Sequence, residues 1–250
     1  MSARNRISCC GRNSACSRAS ARRTEAEGSS NGPPGAAPVA LNWEVVWEYR
    51  AALADGLKLT LDLSAWSLVG SLALGTLVGC LGALPGYFTR RLVAAYVELL
   101  RNLPVVVKLF FLYFAVGLDA MAAGYLALIT HQSAYVADVI ASGFRSVPRE
   151  QSEAALVLGH SRFQVFRHVL LPQVFRLVLP PLTNQFIEVV KNSAIVMLVG
   201  VQELTFQAQN IESETFRGFE AASVATACYV LIALAIAGGM ALLQRRLRLA

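Results

Sequence analysis

Six ionisable residues lie within sequence that is otherwise strongly apolar, and their side chains are the ones best equipped for chemistry. They are Glu98, Arg101, Lys108, Asp138, Glu188 and Lys191. A carboxylate can bind an α-ammonium group, and a guanidinium or ammonium group can bind an α-carboxylate, so such a set suits a zwitterionic solute. Alternatively the charges pair with one another, since Glu98 and Arg101, like Glu188 and Lys191, are three residues apart on a helix.

Neutral polar residues near these charges can add hydrogen bonds to the same solute. Helix breaks at Pro104 and at Pro180-Pro181 are expected to free backbone groups for that purpose. Glu98 and the other five charges cannot all face lipid, because the free energy of placing each charge at mid-bilayer is about 2.5–3.5 kcal/mol. The candidate solute path comprises Glu98, Arg101, Asn184, Gln185, Lys191, Asn192 and Ser193.

Motifs for catalysis and metal binding are absent from the sequence. It has no Gly-x-x-x-x-Gly-Lys-Ser/Thr phosphate loop, no His-Glu-x-x-His zinc motif and no Gly-x-Ser-x-Gly nucleophile turn. The five cysteines have no zinc-ligand spacing. We therefore predict no catalytic residue and no metal site, and any use of ATP must occur on a partner.

The composition is that of an integral membrane protein. Of the 250 residues, 55% are hydrophobic and only 15% are charged, which is more apolar than a soluble domain. The net charge of +6 is attributed to cytoplasmic loops rather than to nucleic-acid binding.

Apolar runs predict an all-α membrane protein with about five transmembrane helices. The predicted spans are residues 63–84, 92–118, 124–144, 174–201 and 221–243. A short interfacial helix is expected before them, at Trp43 to Arg50. Gly75 and Gly79 form a Gly-x-x-x-Gly pattern, which either marks a close helix contact or is incidental in a glycine-rich helix.

The distribution of charge predicts the orientation of the chain. Basic residues follow the first span, fill residues 145–172 and end the chain, so these parts are expected in the cytoplasm. The acidic segment 202–220 suits the outer face, which places the N-terminus outside and the C-terminus in the cytoplasm.

The basic tail, residues 1–40, conflicts with an external N-terminus and is predicted to be disordered. Three explanations compete: a start site assigned too early, a tail that crosses regardless, or a sixth crossing near residues 41–56. We favour the early start. The domain division is accordingly a tail at 1–40 and a transmembrane domain at 41–250.

Residues 145–172, hereafter the elbow, are the most structured of the polar segments. A short helix is predicted from residue 151 to 158, ending at Gly159. Ser161 and Gln164 form a capping box for a second helix, which Pro172 is expected to close. Two helices meeting at a glycine either fill a groove on a soluble partner or pack on their own protein.

The elbow resembles the EAA loop of ABC importer permeases. That loop reads Glu-Ala-Ala, three residues, Gly, nine residues and Ile-x-Leu-Pro, and this chain departs from it at Val169. The resemblance implies a coupling helix that binds the ATP-binding subunit. The residues carried over to this docking loop are Glu153, Ala154, Ala155, Gly159, Leu171 and Pro172.

Other segments resemble the polar amino acid branch of the same family. Residues 96–108 resemble Tyr-x-Glu-x-x-Arg-Asn/Gly-Thr-Pro-Leu-Leu-Val-Gln and depart from it at Leu103 for Thr and Lys108 for Gln, and residues 133–138 and 179–187 are similar to that branch. Lys108 stands where that branch has Gln, and the added charge along the path bears on substrate identity. Residues 206–209 and 214–220 favour the glutamate/aspartate type.

The resemblance, over about residues 43–248, implies a permease subunit of an ATP-driven importer of polar amino acids in the bacterial inner membrane. It implies a second permease subunit, alike or paralogous, an ATP-binding subunit that carries ATP and Mg²⁺, and a periplasmic amino-acid-binding protein. This chain itself is expected to bind no cofactor and to be no enzyme. The alternative is a membrane sensor or scaffold that uses the elbow for docking without transport.

Overall fold

The computed structural model describes residues 41–83 and 86–248, and this part of the chain is built from α-helices. The predicted basic tail, residues 1–40, lies outside the described residues. The helices in chain order are α1 Glu44–Glu48, α2 Arg50–Ala83, α3 Tyr87–Asn102, α4 Val105–Phe110, α5 Ala120–Ser146, α6 Arg149–Val157, α7 Arg162–Val165, α8 Leu171–Ser193, α9 Leu204–Thr215 and α10 Gly218–Arg248.

The described helices include two that are long and apolar enough to cross a membrane, within Arg50–Gly82 and Gly218–Leu247. A third candidate is the bent pair Arg162–Val199 and Leu204–Thr215, whose axes differ by 50°. The all-α membrane fold is confirmed. The remaining predicted spans are represented by α5 and by the broken pair α3 and α4.

Helix α2 begins earlier than predicted, at Arg50, so the predicted interfacial helix is reduced to the five residues of α1. Lys58 and Asp62 consequently lie inside the helix rather than before it. Both side chains are partnered there: Lys58 Nζ is 2.8 Å from Asp55 Oδ1, and Tyr125 donates to Asp62 at 2.5 Å. Because Lys58 and Asp62 are exposed, the helix extends beyond the predicted apolar span 63–84 without burying a charge.

The Gly-x-x-x-Gly pattern marks a close contact between α2 and α5. A Cβ on Gly75 would lie 2.6 Å from Val136 Cβ, and one on Gly79 would lie 2.7 Å from Ile140 Cβ. Real Cβ atoms do not approach so closely, so only glycine allows the two backbones to meet here. Of the two interpretations of this pattern, a close helix contact is therefore confirmed and an incidental occurrence is not.

The second predicted span, residues 92–118, is not one helix. The backbone becomes extended at Leu103, where α3 ends, and α4 starts after Pro104. Proline disfavours a helical conformation in the residue before it, which explains the break. A π-helical turn, Phe111–Ala115, follows α4.

The prediction that Pro172 closes the second elbow helix is wrong. Helix α7 continues through a π-helical turn, Phe166–Leu170, directly into α8, and Pro172 lies in the first turn of α8. Proline has no N–H to donate at this point of the continuous helix, and the π-helical turn just before it, closed by the Leu171 N–H donating to the Phe166 carbonyl, accommodates the missing bond.

The expected break at Pro180-Pro181 is also absent, since both prolines lie inside α8. The lost backbone bonds are offset by packing, because Val178 and Leu182 are buried in a cluster with Val136 and Ile140 of α5. Tertiary contacts thus override the local preference for a break.

The acidic segment 202–220 contains α9, and two of its carboxylates are buried rather than solvated. Glu203 has 0% exposure and caps α9, accepting from the backbone N–H groups of Thr205 and Phe206, both at 2.9 Å. It also accepts from Tyr229 of α10 at 2.7 Å and from Thr60 of α2 at 3.3 Å. One carboxylate therefore joins three helices at the end of the molecule away from the elbow.

Substitution of Gly75 by Val should destabilise the α2–α5 contact, because the new side chain meets Val136 and the Ser133 carbonyl within 3 Å. Overpacking of this kind costs about 1–3 kcal/mol. Thermal unfolding of the purified chain in detergent measures the effect.

The matched control is Gly238→Val in α10, where an added Cβ meets nothing within 4 Å of this chain. Equal melting temperatures for the two variants would contradict the proposed role of the glycine contact.

Candidate functional site

The elbow is a rigid structure whose shape is set by local hydrogen bonds. Helix α6 ends at Val157 and is followed by Gly159, which has φ +88, and the N–H groups of Gly159 and His160 donate to the carbonyls of Leu156 and Ala155. This is the Schellman arrangement, which favours glycine at the left-handed position. The predicted capping box is present, with Ser161 N–H donating to Gln164 Oε1 at 2.8 Å and Gln164 N–H donating to Ser161 Oγ at 3.3 Å.

The elbow has one side packed on its own chain and one side uncovered. Ala155 and Val165 are buried, and Phe166 stacks on Phe144 of α5 with ring centroids 5.7 Å apart. On the other side Val157 is 88% exposed and Leu158 is 80% exposed. The elbow therefore packs on its own chain through one side and leaves the other side exposed.

The predicted docking residues are spread over the uncovered side and its continuation. Glu153, Ala154 and Gly159 are exposed, whereas Ala155 faces inward. Leu171 and Pro172 are exposed at the start of α8. Phe163, also exposed, extends the apolar surface beside them.

Helix α8 has a polar face that this chain leaves uncovered. Asn184, Glu188 and Lys191 are all exposed and recur at intervals of four and three residues. The opposite side of the helix is buried, with Val178 and Val189 among its residues. Glu188 and Lys191 pair at 3.4 Å, which confirms the predicted ion pair.

The predicted pairing of Glu98 with Arg101 is not what the structure shows. Arg101 instead binds Asp138 of α5 at 2.5 Å and lies over the ring of Tyr135. Asp138 is also 3.7 Å from Arg145, so it balances two cations. Among the described residues, Glu98 has no ion pair within 4.0 Å and is exposed.

Lys108 is buried and bridges the break between α3 and α4. Its Nζ donates to the carbonyl oxygen of Leu100 in the last turn of α3 at 2.5 Å and lies 3.0 Å from His131 Nδ1 of α5. A cation is stabilised at a helix C-terminus by the unpaired carbonyls there. The side chain therefore holds a helix end in place instead of adding a free charge to the solute path.

Two other members of the candidate solute path, Gln185 and Ser193, are hydrogen-bonded within the bundle. Gln185 accepts from Gln132 of α5 at 2.6 Å through its side chain and at 3.0 Å through its carbonyl. Ser193 is fully buried and donates to the Val190 carbonyl at 2.7 Å, and Asn192 is half-buried. The structure thus separates this set into an exposed group on α3 and α8 and an inner group.

Sequence reasoning missed Gln132 and the bond between Tyr96 and Ser133, whose oxygens are 2.6 Å apart. Both contacts join α5 to a neighbouring helix. The interruption of the apolar pattern of α5 at His131, Gln132 and Ser133 is the signal that marks them.

Residues 71–249 match the protein family described as binding-protein-dependent transport system inner membrane component. The chain is 32% identical over 215 residues to the glutamine transport system permease protein GlnP of Escherichia coli K12, covering 83% of this chain and 98% of that protein. It is 29% identical to the glutamate/aspartate import permease protein GltJ of the same organism, over 80% of this chain and 89% of GltJ.

Solved structures agree with these relatives. An amino acid ABC transporter determined with histidines has a chain that is 31% identical, with a TM-score of 0.77, over 82% of this chain and 99% of that one. A chain of the MetNI methionine ABC transporter, 21% identical with a TM-score of 0.70 over 80% of this chain and 98% of its own, shares the fold.

The chain belongs to the family of binding-protein-dependent transport system inner membrane components. The resemblance to ABC importer permeases of the polar amino acid type is thereby confirmed. Its relatives are permease subunits of ABC importers, which are transport components of the inner membrane and not enzymes.

Replacement of Lys108 by Met should destabilise the protein by about 1–3 kcal/mol, because the Leu100 carbonyl and His131 Nδ1 lose a buried partner. Lys108→Gln should retain most of the stability, since its amide can still donate to both acceptors. Thermal unfolding of both variants in detergent distinguishes them. A Met variant as stable as wild type would contradict the role of Lys108 in holding the helix end, and equal losses in the Met and Gln variants would assign that role to the charge rather than to the hydrogen bonds.

Proposed function

We propose that this chain is the permease subunit of an ATP-driven ABC importer that carries polar amino acids across the inner membrane. The observation that carries the proposal is the uncovered polar face of α8, with Asn184, Glu188 and Lys191. The family and the amino acid permeases among its relatives support the substrate class.

A polar face on a membrane helix cannot remain against lipid, because charges there cost several kcal/mol and amides lack partners. The face must meet water or another protein surface. A second permease subunit, identical or paralogous, would cover it and enclose a polar passage between the two copies of α8. Glu98 and Arg101, exposed on α3, border the same passage in this proposal.

The elbow would bind the ATP-binding subunit through its uncovered side. Val157, Leu158 and Phe163 offer apolar side chains to a groove, and Arg162 and Arg167 add positive charge around them. ATP and Mg²⁺ would be held by that partner, since this chain contains no phosphate loop.

The continuous helix from the elbow into α8 supplies the mechanical link. Helix α7, the π-helical turn and α8 form one continuous helix. A displacement of the elbow is therefore transmitted along this helix to the polar face of α8. Nucleotide-driven movement of the partner would then shift the passage between two states that open to opposite sides. The periplasmic amino-acid-binding protein would dock at the end opposite the elbow, with the N-terminus outside and the C-terminus cytoplasmic.

Which amino acid is carried depends on whether this chain has an unpaired charge that could bind the side chain of the substrate. Arg101 and Lys191 each have a carboxylate partner, and Lys108 is bound to a carbonyl, so the exposed Glu188–Lys191 pair is neutral. This pattern suits the α-ammonium and α-carboxylate groups that all amino acids share. The glutamate/aspartate assignment rests on residues 206–209 and 214–220, which lie at the far end of the molecule, so glutamine and glutamate are both to be compared.

Uptake in proteoliposomes tests the proposal. With the ATP-binding subunit and the amino-acid-binding protein present, the wild-type complex should accumulate labelled glutamine or glutamate only when ATP is supplied. Asn192→Ala and Glu98→Gln should lower uptake about tenfold, the effect of losing one substrate hydrogen bond, while assembly with the ATP-binding subunit is retained. An assembled complex that accumulates no amino acid would favour the alternative of a sensor or scaffold.

Gly159→Ala should weaken assembly with the ATP-binding subunit, because a left-handed residue with a Cβ strains the elbow by about 1 kcal/mol or more. The measurement is the amount of ATP-binding subunit that co-purifies with the permease.

The matched control is Gly117→Ala, which has φ +79 and, like Gly159, nothing within 4 Å of an added Cβ. It carries the same backbone penalty at a different place, just before α5. Equal loss of co-purification in both variants would show general destabilisation and would contradict a specific role for the elbow.

A further inference from the structure

Phe216 combines two unfavourable features at the corner between α9 and α10. It is the one described non-glycine residue with a positive φ, +57, and its side chain is 91% exposed. The left-handed region is disfavoured for a residue with a Cβ, and an exposed Phe gains nothing from burial within this chain. Such outliers are a starting point for a functional hypothesis.

Local structure accounts for the conformation of Phe216. It terminates α9, and its N–H donates to the Glu212 carbonyl at 2.8 Å, while Arg217 N–H donates to Thr215 Oγ1 at 3.3 Å. Glycine is the residue preferred at such a helix end. The glycine of this corner lies at Gly218 instead, where an added Cβ would be 2.6 Å from the Glu212 side chain.

The corner that presents Phe216 is firmly anchored. Ile211 of α9 and Ala221 of α10 are buried in one cluster, with Val45 of α1 packed against it. Glu214 accepts from Tyr49 at 2.8 Å, a bond that also raises the pKa of Tyr49, and Glu220 accepts from Asn42 N–H at 2.9 Å. Phe216 is therefore a projecting ring on a rigid base, as an interface anchor must be.

The corner carries more carboxylates than cations, and its Arg217, next to Phe216 in sequence, pairs with Glu220. Glu212 and Glu214 are exposed on the last turns of α9, and Glu44 and Glu48 are exposed on α1, which packs against the same cluster. A surface of this kind is complementary to a partner with an apolar pocket rimmed by basic side chains.

The corner lies at the end of the molecule opposite the elbow. Helix α10 starts beside it and runs back along α8, where Gln244 donates to Thr183 in the middle of α8 at 3.1 Å and Leu247 lies near Arg176 in the first half of α8. The family is binding-protein-dependent, so a soluble protein that delivers solute must meet this chain. If the elbow meets the ATP-binding subunit, the opposite end is the one left for the solute-binding protein.

We propose that Phe216 is an anchor for the solute-binding protein, inserting its ring into an apolar pocket whose rim is basic. This inference rests on the proposed function and assigns one contact within it. The strain at Phe216 is tolerated because the ring is used in the complex and not in the isolated chain.

The experiment measures binding of the purified amino-acid-binding protein, loaded with glutamine or glutamate, to the full transporter complex in nanodiscs. Phe216→Gly should raise the dissociation constant about tenfold, as expected for removal of an aromatic anchor. Its melting temperature should equal or exceed that of wild type, because glycine suits a positive φ. Phe216→Tyr, which keeps the ring, should remain within about twofold of wild type.

Phe219→Ala is the matched control, since Phe219 is 64% exposed, three residues away and in the first turn of α10. It should change the dissociation constant less than about twofold. An unchanged constant for Phe216→Gly would overturn the inference, as would equal losses at Phe216 and Phe219. If Phe216→Gly lowered the melting temperature but left binding unchanged, the ring would be assigned to the membrane surface. That result would also overturn the inference.

Uptake by the wild-type complex reports on the proposed function separately. A complex that binds the loaded protein through Phe216 but accumulates no amino acid would contradict transport and support docking. If the wild-type complex accumulates amino acid and the Phe216→Gly complex binds the loaded protein as tightly as wild type, the result would contradict docking through Phe216 and support transport.

Discussion

A polar group surrounded by hydrocarbon must find a partner within the protein, and this constraint orders the bundle. Glu203 joins α9 to α2 and α10, Lys108 joins α4 to α3 and α5, and Gln132 joins α5 to α8. Each of these side chains contacts helices distant in sequence. The polar residues of the apolar segments therefore decide which helices are neighbours, and the glycines decide how near they come, as Gly75 shows for α2 and α5.

The same constraint explains why the remaining polar face matters. Where the chain supplies a partner, as for Arg101 with Asp138, the charge is part of the fold. Along α8, Glu188 and Lys191 pair only with each other and stay exposed with Asn184, so the proposed cover for this face comes from outside the chain. A transport subunit needs such a face, because a fully satisfied bundle would offer no passage to a polar solute.

The elbow continues into α8 as one helix. A proline at Pro172 would end the elbow in a loop if local preference alone decided, yet the π-helical turn delivers the chain into α8 with the proline in its first turn. Force applied at the uncovered side of the elbow therefore need not cross a flexible joint. At the opposite end Glu203 caps the start of α9 after the 50° bend, and Glu214 and Glu220 hold the corner after α9 that carries Phe216. The two ends are thus suited to two different partners.

Features that depend on neighbouring residues were determined by the sequence alone. The left-handed Gly159, the capping box of Ser161 and Gln164 and the Glu188–Lys191 pair are all set within a few residues of chain, and the structure contains each of them. Features that depend on distant residues were decided only by the tertiary structure. Arg101 takes Asp138 rather than Glu98, Glu203 is buried rather than solvated, and Pro180-Pro181 stay helical, because packing between helices outweighs local preference. A side chain three residues away is reachable in any helix, whereas the better partner is known only once the helices are side by side.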